Sequence, residues 1–428
     1  MVTKFGATYF WAMRIGLLLL LVVPLIGSAQ STRVLFIGNS YTYSNDLPGM
    51  FTQLAASLGE EVETGMVAPG GFTFEGHASN SATQNAIAQG DWDFVVLQEQ
   101  SQRPAFPPEQ VAQDVAPYAA LLVEQVRAAN PCTEAVFLMT WGRENGDAQN
   151  CPSYPPLCTY EGMQQRLRES YLDLAYTNQA WCAPVGAVWE AFRMDQPATA
   201  LYTDGSHPNV TGSYMAASTL FNTIFRRSSE EASFVPAGLS LEQQQFISQS
   251  SSTMVLDSTA TWNIGVNDPV ASADLNVVSG TTVLFANNTS GSVQQEWSFG
   301  DGSTSVDADP LHTYASSGIY TVTLTVMDVC GRSDTDTIVV NLTGTRTPEL
   351  LDPGKPILSL RDGGLLVRNR PAAGTLEVMD SAGRRLFHER LAAGDERWIP
   401  LPDGTTSALI WSLRSDDGQQ VGGTMIAP

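Results

Sequence analysis

The chain has 428 residues, with 22 basic against 44 acidic side chains and a formal net charge of −22. That balance disfavours nucleic acid and anionic membrane surfaces as partners, because their phosphates attract cations; it names no substrate. The length exceeds one ordinary domain and predicts two or three.

Residues 1–29 read as a secretory signal peptide. Lys4 and Arg14 give a positive start, Gly16 to Ile26 is apolar apart from Pro24, and Gly27-Ser28-Ala29 offers small residues for cleavage. The run is short of the ~20 residues that a span needs, and no other segment reads as a membrane crossing. A secreted or cell-surface location is expected, where disulfides persist. Cys132 and Cys182 each precede an expected strand and could bridge if those strands are parallel neighbours. Cys151 and Cys158 could close a Pro-rich loop, which leaves Cys330 over. The spacings fit no zinc pattern, so neither a metal nor an organic cofactor is expected.

Residues 30–262 alternate strands with helices. Strands are expected at Arg33–Ile37, Glu61–Val67, Asp93–Gln98, Ala135–Thr140 and Ala183–Val188. The third and fourth are nearly continuous apolar runs, as in strands covered on both faces. Helical spacing links Leu47, Met50, Phe51 and Leu54, then Val111, Val115, Leu122 and Val126, with a stop at Asn130-Pro131. It recurs at Leu167, Tyr171 and Leu174, and again from Val210 through Tyr214, Ala217, Phe221 and Ile224. The alternation predicts an α/β domain with a doubly wound, parallel five-stranded sheet, flavodoxin-like, in the order 2-1-3-4-5. Ser240 with Gln243 reads as a capping box opening one short further helix, followed by a Ser/Thr-rich stretch from Ser248 to Thr261.

From about Val266 helical spacing stops. Val283-Leu284-Phe285, Glu296–Phe299 and the alternating Tyr320–Val326 are short strands separated by turns at Gly300-Asp301-Gly302 and Ser316-Ser317-Gly318. They predict a small all-β sandwich over 266–342. A Pro/Gly/Thr linker follows at 343–356. Residues 357–428 form a second small all-β sandwich, with strands at Leu365–Val367, Thr375–Met379 and Ala408–Leu413 and a turn at Ser381-Ala382-Gly383.

Gly38-Asn39-Ser40 follows the apolar run Val34–Ile37, so Ser40 lies at the carboxyl end of the first strand, where open α/β sheets place their sites. A serine hydroxyl needs a base within hydrogen-bond reach, and the base needs an orienting group. Only His77 and His207 lie in the first 300 residues. Asp204-Gly205-Ser206-His207 can turn a carboxylate onto one ring nitrogen of His207 and leave the other for Ser40. An oxyanion needs donors. Candidates are the Ser40 N–H, the backbone at Pro69-Gly70-Gly71 after the second strand, and the amides of Gln98-Glu99-Gln100-Ser101 after the third.

These blocks resemble the SGNH (GDSL-type) hydrolases. Gly38-Asn39-Ser40 looks like the family's first block, Gly71 its second-block glycine and Asp204-x-x-His207 its last. The resemblance implies Ser40 as nucleophile, His207 as base and Asp204 as its partner, with the N–H groups of Ser40 and Gly71 forming the oxyanion hole. Two departures stand out. Asn39 replaces the usual Asp, and Leu97–Ser101 lacks the asparagine of the third block; Gln100 aligns with it, with Gln98 the rival. Asn39, Gly70, His77, Glu99 and Trp141 are further pocket candidates. Glu99 is open to a ligand-orienting role, His77 to a helix-packing role and Trp141 to a core role.

Trp297-Ser298-Phe299-Gly300-Asp301-Gly302, His312-Thr313-Tyr314 and Gly318-Ile319-Tyr320-Thr321-Val322 resemble a PKD domain, which implies an extracellular spacer or weak adhesion unit. Val378–Arg384 resembles the C-terminal sorting domains of type IX secretion cargo, which implies contact with secretion machinery or the cell surface. The expected function is a secreted serine esterase acting on acyl esters, acetyl among them, of a small molecule or glycan through an acyl-serine. The alternatives are a lipid or thioester hydrolase of the same mechanism and a non-catalytic glycan-binding or adhesion protein.

Overall fold

The computed structural model describes Met1, residues 31–289 and 294–342, and the strand segments between 357 and 426. The signal-peptide reading of 1–29, the linker at 343–356 and the Ser381–Gly383 turn lie outside the described residues.

Five parallel strands build the first domain: β1 (Thr32–Ile37), β2 (Val62–Val67), β3 (Phe94–Leu97), β4 (Glu134–Leu138) and β5 (Trp181–Ala183). Their spatial order is β2-β1-β3-β4-β5, the order expected. Helices cover both faces: α1 (Ser40–Tyr43), α2 (Leu47–Ser57), α3 (Phe74–Ser79), α4 (Ser81–Ile87), α5 (Pro108–Asp114) and α6 (Ala116–Ala129), then α7 (Tyr160–Thr177), α8 (Val185–Asp195), α9 (Val210–Phe225) and α10 (Leu241–Leu256). Val34, Phe36, Val96, Val136 and Phe137 are sealed between the layers with Phe51 and Leu122. Each such side chain contributes roughly 1.5–3 kcal/mol over leaving it exposed.

Three expectations are corrected. The fifth strand is Trp181–Ala183, and the apolar run after it is α8. Pro184 cannot donate to a central ladder, and Val185, Val188, Trp189 and Phe192 repeat at helical spacing. The helix through Val111 and Val126 is broken at Val115, where Pro117 in the first turn of α6 has no N–H to continue α5. The Ser/Thr stretch is no connector. The Ser240–Gln243 capping box opens α10, whose sixteen residues run to Leu256. Ser248, Ser251 and Ser252 are buried against α9, where Ser218 Oγ lies 2.6 Å from Ser251 Oγ and Asn222 donates to it at 3.1 Å.

The second unit has a three-stranded sheet (Leu311–Thr313, Thr282–Asn287, Ala273–Ser279) facing a four-stranded one (Ser333–Asn341, Ile319–Met327, Gln294–Ser298, Thr304–Ser305). Phe285, Trp297, Phe299 and Leu324 fill the space between them. The described C-terminal strands make two further antiparallel sheets around Leu365, Val367, Leu376 and Val378.

Cysteine pairing meets one expectation, Cys151 with Cys158, and departs from the other, Cys132 with Cys182. Cys132 bonds Cys330 of the second unit, with Cα atoms 5.2 Å apart, and Cys151 bonds Cys158. Cys182 is free and lies inside β5, where burial pushes its thiol up to about 12. Its side chain faces the core, whereas Cys132 lies at the amino edge of β4, against the 328–332 loop. The same junction holds an ion pair of Arg332 with Glu134 and a 2.9 Å hydrogen bond from Asn267 to Glu134.

Candidate active site

At the end of β1 the backbone turns sharply into α1. Gly38 is obligatory there: a Cβ would lie 2.2 Å from Thr42 Oγ1 and 2.6 Å from Gln98 Oε1. Asn39 caps α1 by accepting the Tyr41 N–H at 3.1 Å, and its amide donates to the Phe72 carbonyl at 2.8 Å. Those two bonds account for an amide where the resemblance expects an acid, since a carboxylate could not donate to Phe72. Ser40 is therefore the first residue of α1, at the carboxyl rim of the sheet.

From 167 residues away, His207 Nε2 reaches within 2.9 Å of Ser40 Oγ. His207 Nδ1 lies 2.8 Å from Asp204 Oδ2, while Asp204 Oδ1 accepts the N–H groups of Ser206 and His207 at 3.0 and 2.8 Å. Those hydrogen bonds hold the Asp204 carboxyl down at about 2, the His207 N–H contributing most. An ionised Asp204 fixes the tautomer with the proton on Nδ1 and presents the Nε2 lone pair to the serine hydroxyl. The side chains of His207 and Asp204 are 39% and 54% exposed, so the site is open to solvent.

The loop bearing this pair is held by residues the motifs do not mark. Tyr41 Oη lies 2.7 Å from Ser206 Oγ, and Trp141 Nε1 donates to the Ser206 carbonyl at 3.1 Å. Tyr41, Trp141 and Trp189 stack face to face at 4.7 and 4.2 Å. Asn45 donates to the Pro208 carbonyl at 3.0 Å from a left-handed backbone conformation, φ 54°, that asparagine tolerates better than most residues. The Asn45-Asp46 pair was the available sequence signal, since both residue types favour such turns. Trp141, a pocket candidate, is 1% exposed and is a support beneath the loop.

His77 is buried, with Nε2 donating to the Gly38 carbonyl at 2.8 Å and Nδ1 2.8 Å from Thr83 Oγ1. Both nitrogens are occupied, and burial lowers its pKa. It braces the turn and does not face Ser40's proton. Gln98 is spent in the same way: its Oε1 accepts from Asn39 N–H and Thr42 Oγ1, both at 2.9 Å, and its amide donates to the Glu99 carbonyl. Gln100 donates to Ser101 Oγ at 3.4 Å and Gln102 Oε1 at 3.1 Å, within its own loop. That loop is drawn toward Asp147, which accepts from Gln102 at 2.7 Å. Neither glutamine is aimed at Ser40. Glu99 is fully buried on two backbone N–H groups and offers no face to a ligand.

Two backbone donors remain. The N–H of Ser40 belongs to the first turn of a helix, where amides have no partner within the helix. Gly71 has φ 71° and open space where a side chain would project; Gly70 lies beside the Tyr43 hydroxyl. Among the described residues no group of three or more His, Cys, Asp or Glu could hold a metal ion. No helix among them is long and apolar enough to cross a membrane.

The described parallel sheet runs in the order 2-1-3-4-5 with helices on both faces. Residues 266–342 match the PKD domain family. A collagenase of Bacillus cereus is 38% identical over 87 residues, 20% of this chain and 9% of its own length. The chain spans about a tenth of the length of the curated relatives it matches. Among solved structures, a DUF4886 family protein from Bacteroides uniformis is 18% identical, with a TM-score of 0.44, covering 53% of this chain and 95% of that one. A protein described as an SGNH hydrolase, from Slackia heliotrinireducens, is 33% identical with a TM-score of 0.37, covering 44% and 97%.

Proposed function

We propose that the first domain is a serine ester hydrolase of an exported protein. The observation that carries this reading is the unbroken chain from Ser40 Oγ through His207 to Asp204, at 2.9 and 2.8 Å. Ser40 attacks the ester carbonyl as His207 Nε2 takes its proton, the N–H groups of Ser40 and Gly71 meet the oxyanion, and the alcohol leaves with the proton from His207. Water activated by the same histidine then releases the acid and restores Ser40. The open triad supports a bulky alcohol, and we assign acyl esters, acetyl first, on carbohydrate as the substrate class. We assign the PKD unit to spacing or weak adhesion and the last β-module to secretion or surface attachment.

Fluorophosphonate labelling of Ser40 in the folded protein, with acetate released from acetylated polysaccharide, tests the reading. A folded protein that takes no label is a binder. A chain-length series of aryl esters favouring long acyl groups makes it a lipid or thioester hydrolase.

A further inference from the structure

One buried carboxylate joins two loops of the site. Glu99 follows β3 and is fully buried. Its Oε2 accepts the Phe74 N–H at 2.9 Å and its Oε1 accepts the Gln100 N–H at 2.5 Å. Phe74 opens α3 and directly follows the 69–73 loop that carries Gly71. The Asn39 amide grips that loop at the Phe72 carbonyl, and the Phe72 N–H closes a turn onto the Pro69 carbonyl at 3.2 Å. Gly71, with φ 71° and open space where a side chain would project, has little of its own to hold its N–H in one direction, so the residues on either side must do so.

We propose that ionised Glu99 is a positioning residue: by holding Phe74 it fixes the direction of the Gly71 N–H, without touching substrate. This rests on the serine-hydrolase reading above. An ionised carboxylate only accepts, so it matches two inward N–H groups with charge-assisted bonds. A proton on either oxygen opposes a donor to a donor and releases one loop. Burial raises Glu99 to about 7, with Arg103 pulling down and Glu75 pushing up, and the buried Tyr171 hydroxyl of α7 lies in its field. The clamp therefore opens within the range where esterases are assayed.

The test is the pH profile of kcat/KM for an aryl acetate in the full-length protein. Losing the base removes turnover and protonating Glu99 lowers it as Glu99→Gln does, so the acid limb of the natural protein is steeper than one over the range in which Glu99 takes its proton. Glu99→Gln keeps the size but presents an N–H₂ to one backbone donor. It is expected to lower kcat about 10-fold or more with KM within about 2-fold, since the oxyanion exists only beyond the ground state, and to reduce the acid slope to one. Glu99→Asp, still an acceptor, is expected to recover part of kcat. A Glu99→Gln enzyme with unchanged kcat and an unchanged acid limb overturns the proposal. So does a Glu99→Gln enzyme that keeps kcat and raises KM, which would put the carboxylate on substrate. If Ser40 takes the fluorophosphonate and Glu99→Gln leaves kcat and the acid limb unchanged, only the Glu99 role is lost. If Ser40 takes no label and no ester is cleaved, both readings fall.

Discussion

Tyr41 and Ser206, 165 residues apart, meet through their hydroxyls at 2.7 Å, so the segment carrying Ser40 and the loop carrying His207 are tied side chain to side chain. The tie is buttressed by Trp141, which stacks on Tyr41 and bonds the Ser206 carbonyl. Tyr41→Phe keeps the stack and loses the bond, and about a 3–10-fold fall in kcat/KM is expected, equivalent to roughly 1 kcal/mol. Ser206→Ala should lose a similar amount. The double variant should lose little more than either single one, because the two changes delete one interaction. Additive losses would show that the two hydroxyls act separately.

Ser40→Ala and His207→Ala are each expected to reduce esterase turnover by ~10³-fold or more, and Asp204→Asn by ~10²–10⁴-fold through loss of the tautomer. His77→Ala should instead lower thermal stability, since His77 joins Gly38 to Thr83. If His207→Ala kept near-normal turnover, the base would have to be another group.

Gly38→Ala places a methyl carbon against Thr42 and Gln98, both fixed by other bonds. A loss of about 1–3 kcal/mol is expected from overpacking, read as a lower denaturation midpoint, with turnover lost as the Ser40 segment shifts. Unaltered stability and turnover would mean that the turn can widen freely.

The chemistry at this rim was legible in unequal parts. Ser40 stands at the end of an apolar strand, and Asp204 and His207 stand three residues apart in one loop, the short spacing that lets a carboxylate turn onto an imidazole. The strands of the central sheet announce themselves because burial on both faces leaves a continuous apolar run in Val34–Ile37 and Ala135–Leu138. The same continuity hid α8, since Val185–Phe192 is apolar at strand and helix spacing alike. The serines of α10 were misleading because they bury against other hydroxyls, which apolar periodicity cannot register. Gln98 and Glu99 look like free pocket amides and acids until their partners are known. Those partners, Asn39 and Phe74, come from other strand ends. The Cys132–Cys330 bond joins separate folding units, and no pattern within either unit points across the gap.

Asp204 and His77 should both lose stabilising effect as acid is added, in different pH ranges. Asp204 is lowered from 3.8 to about 2, so its contribution is fully present above pH 4 and fades only as pH falls toward 2. His77 is lowered from 6.5 by burial, so below pH 6.5 the unfolded chain binds the proton first and stability falls as acid is added. His77 therefore adds a decline below about 6.5 to thermal midpoints measured from pH 8 to 4, against which Glu99, raised by burial to about 7, acts in the opposite sense because the native state takes its proton first. In His77→Gln the decline should be shallower; an identical slope would assign it to other groups.

Cys330→Ser, which opens the bond to Cys132, should lower the stability of the joined units by about 2–4 kcal/mol and leave esterase turnover within about 2-fold. Calorimetry and limited proteolysis near residue 266 would read the first effect. A large loss of turnover would mean that the PKD unit shapes the site from a distance.

That bond also determines how the molecule is oriented at work. Cys132 precedes β4, whereas Ser40 follows β1, and in a parallel sheet these are opposite ends, separated by about 17 Å for a five-residue strand. The PKD unit is thus bolted to the rear of the catalytic body. Under the adhesion role proposed above, a surface held by that unit would stand behind Ser40.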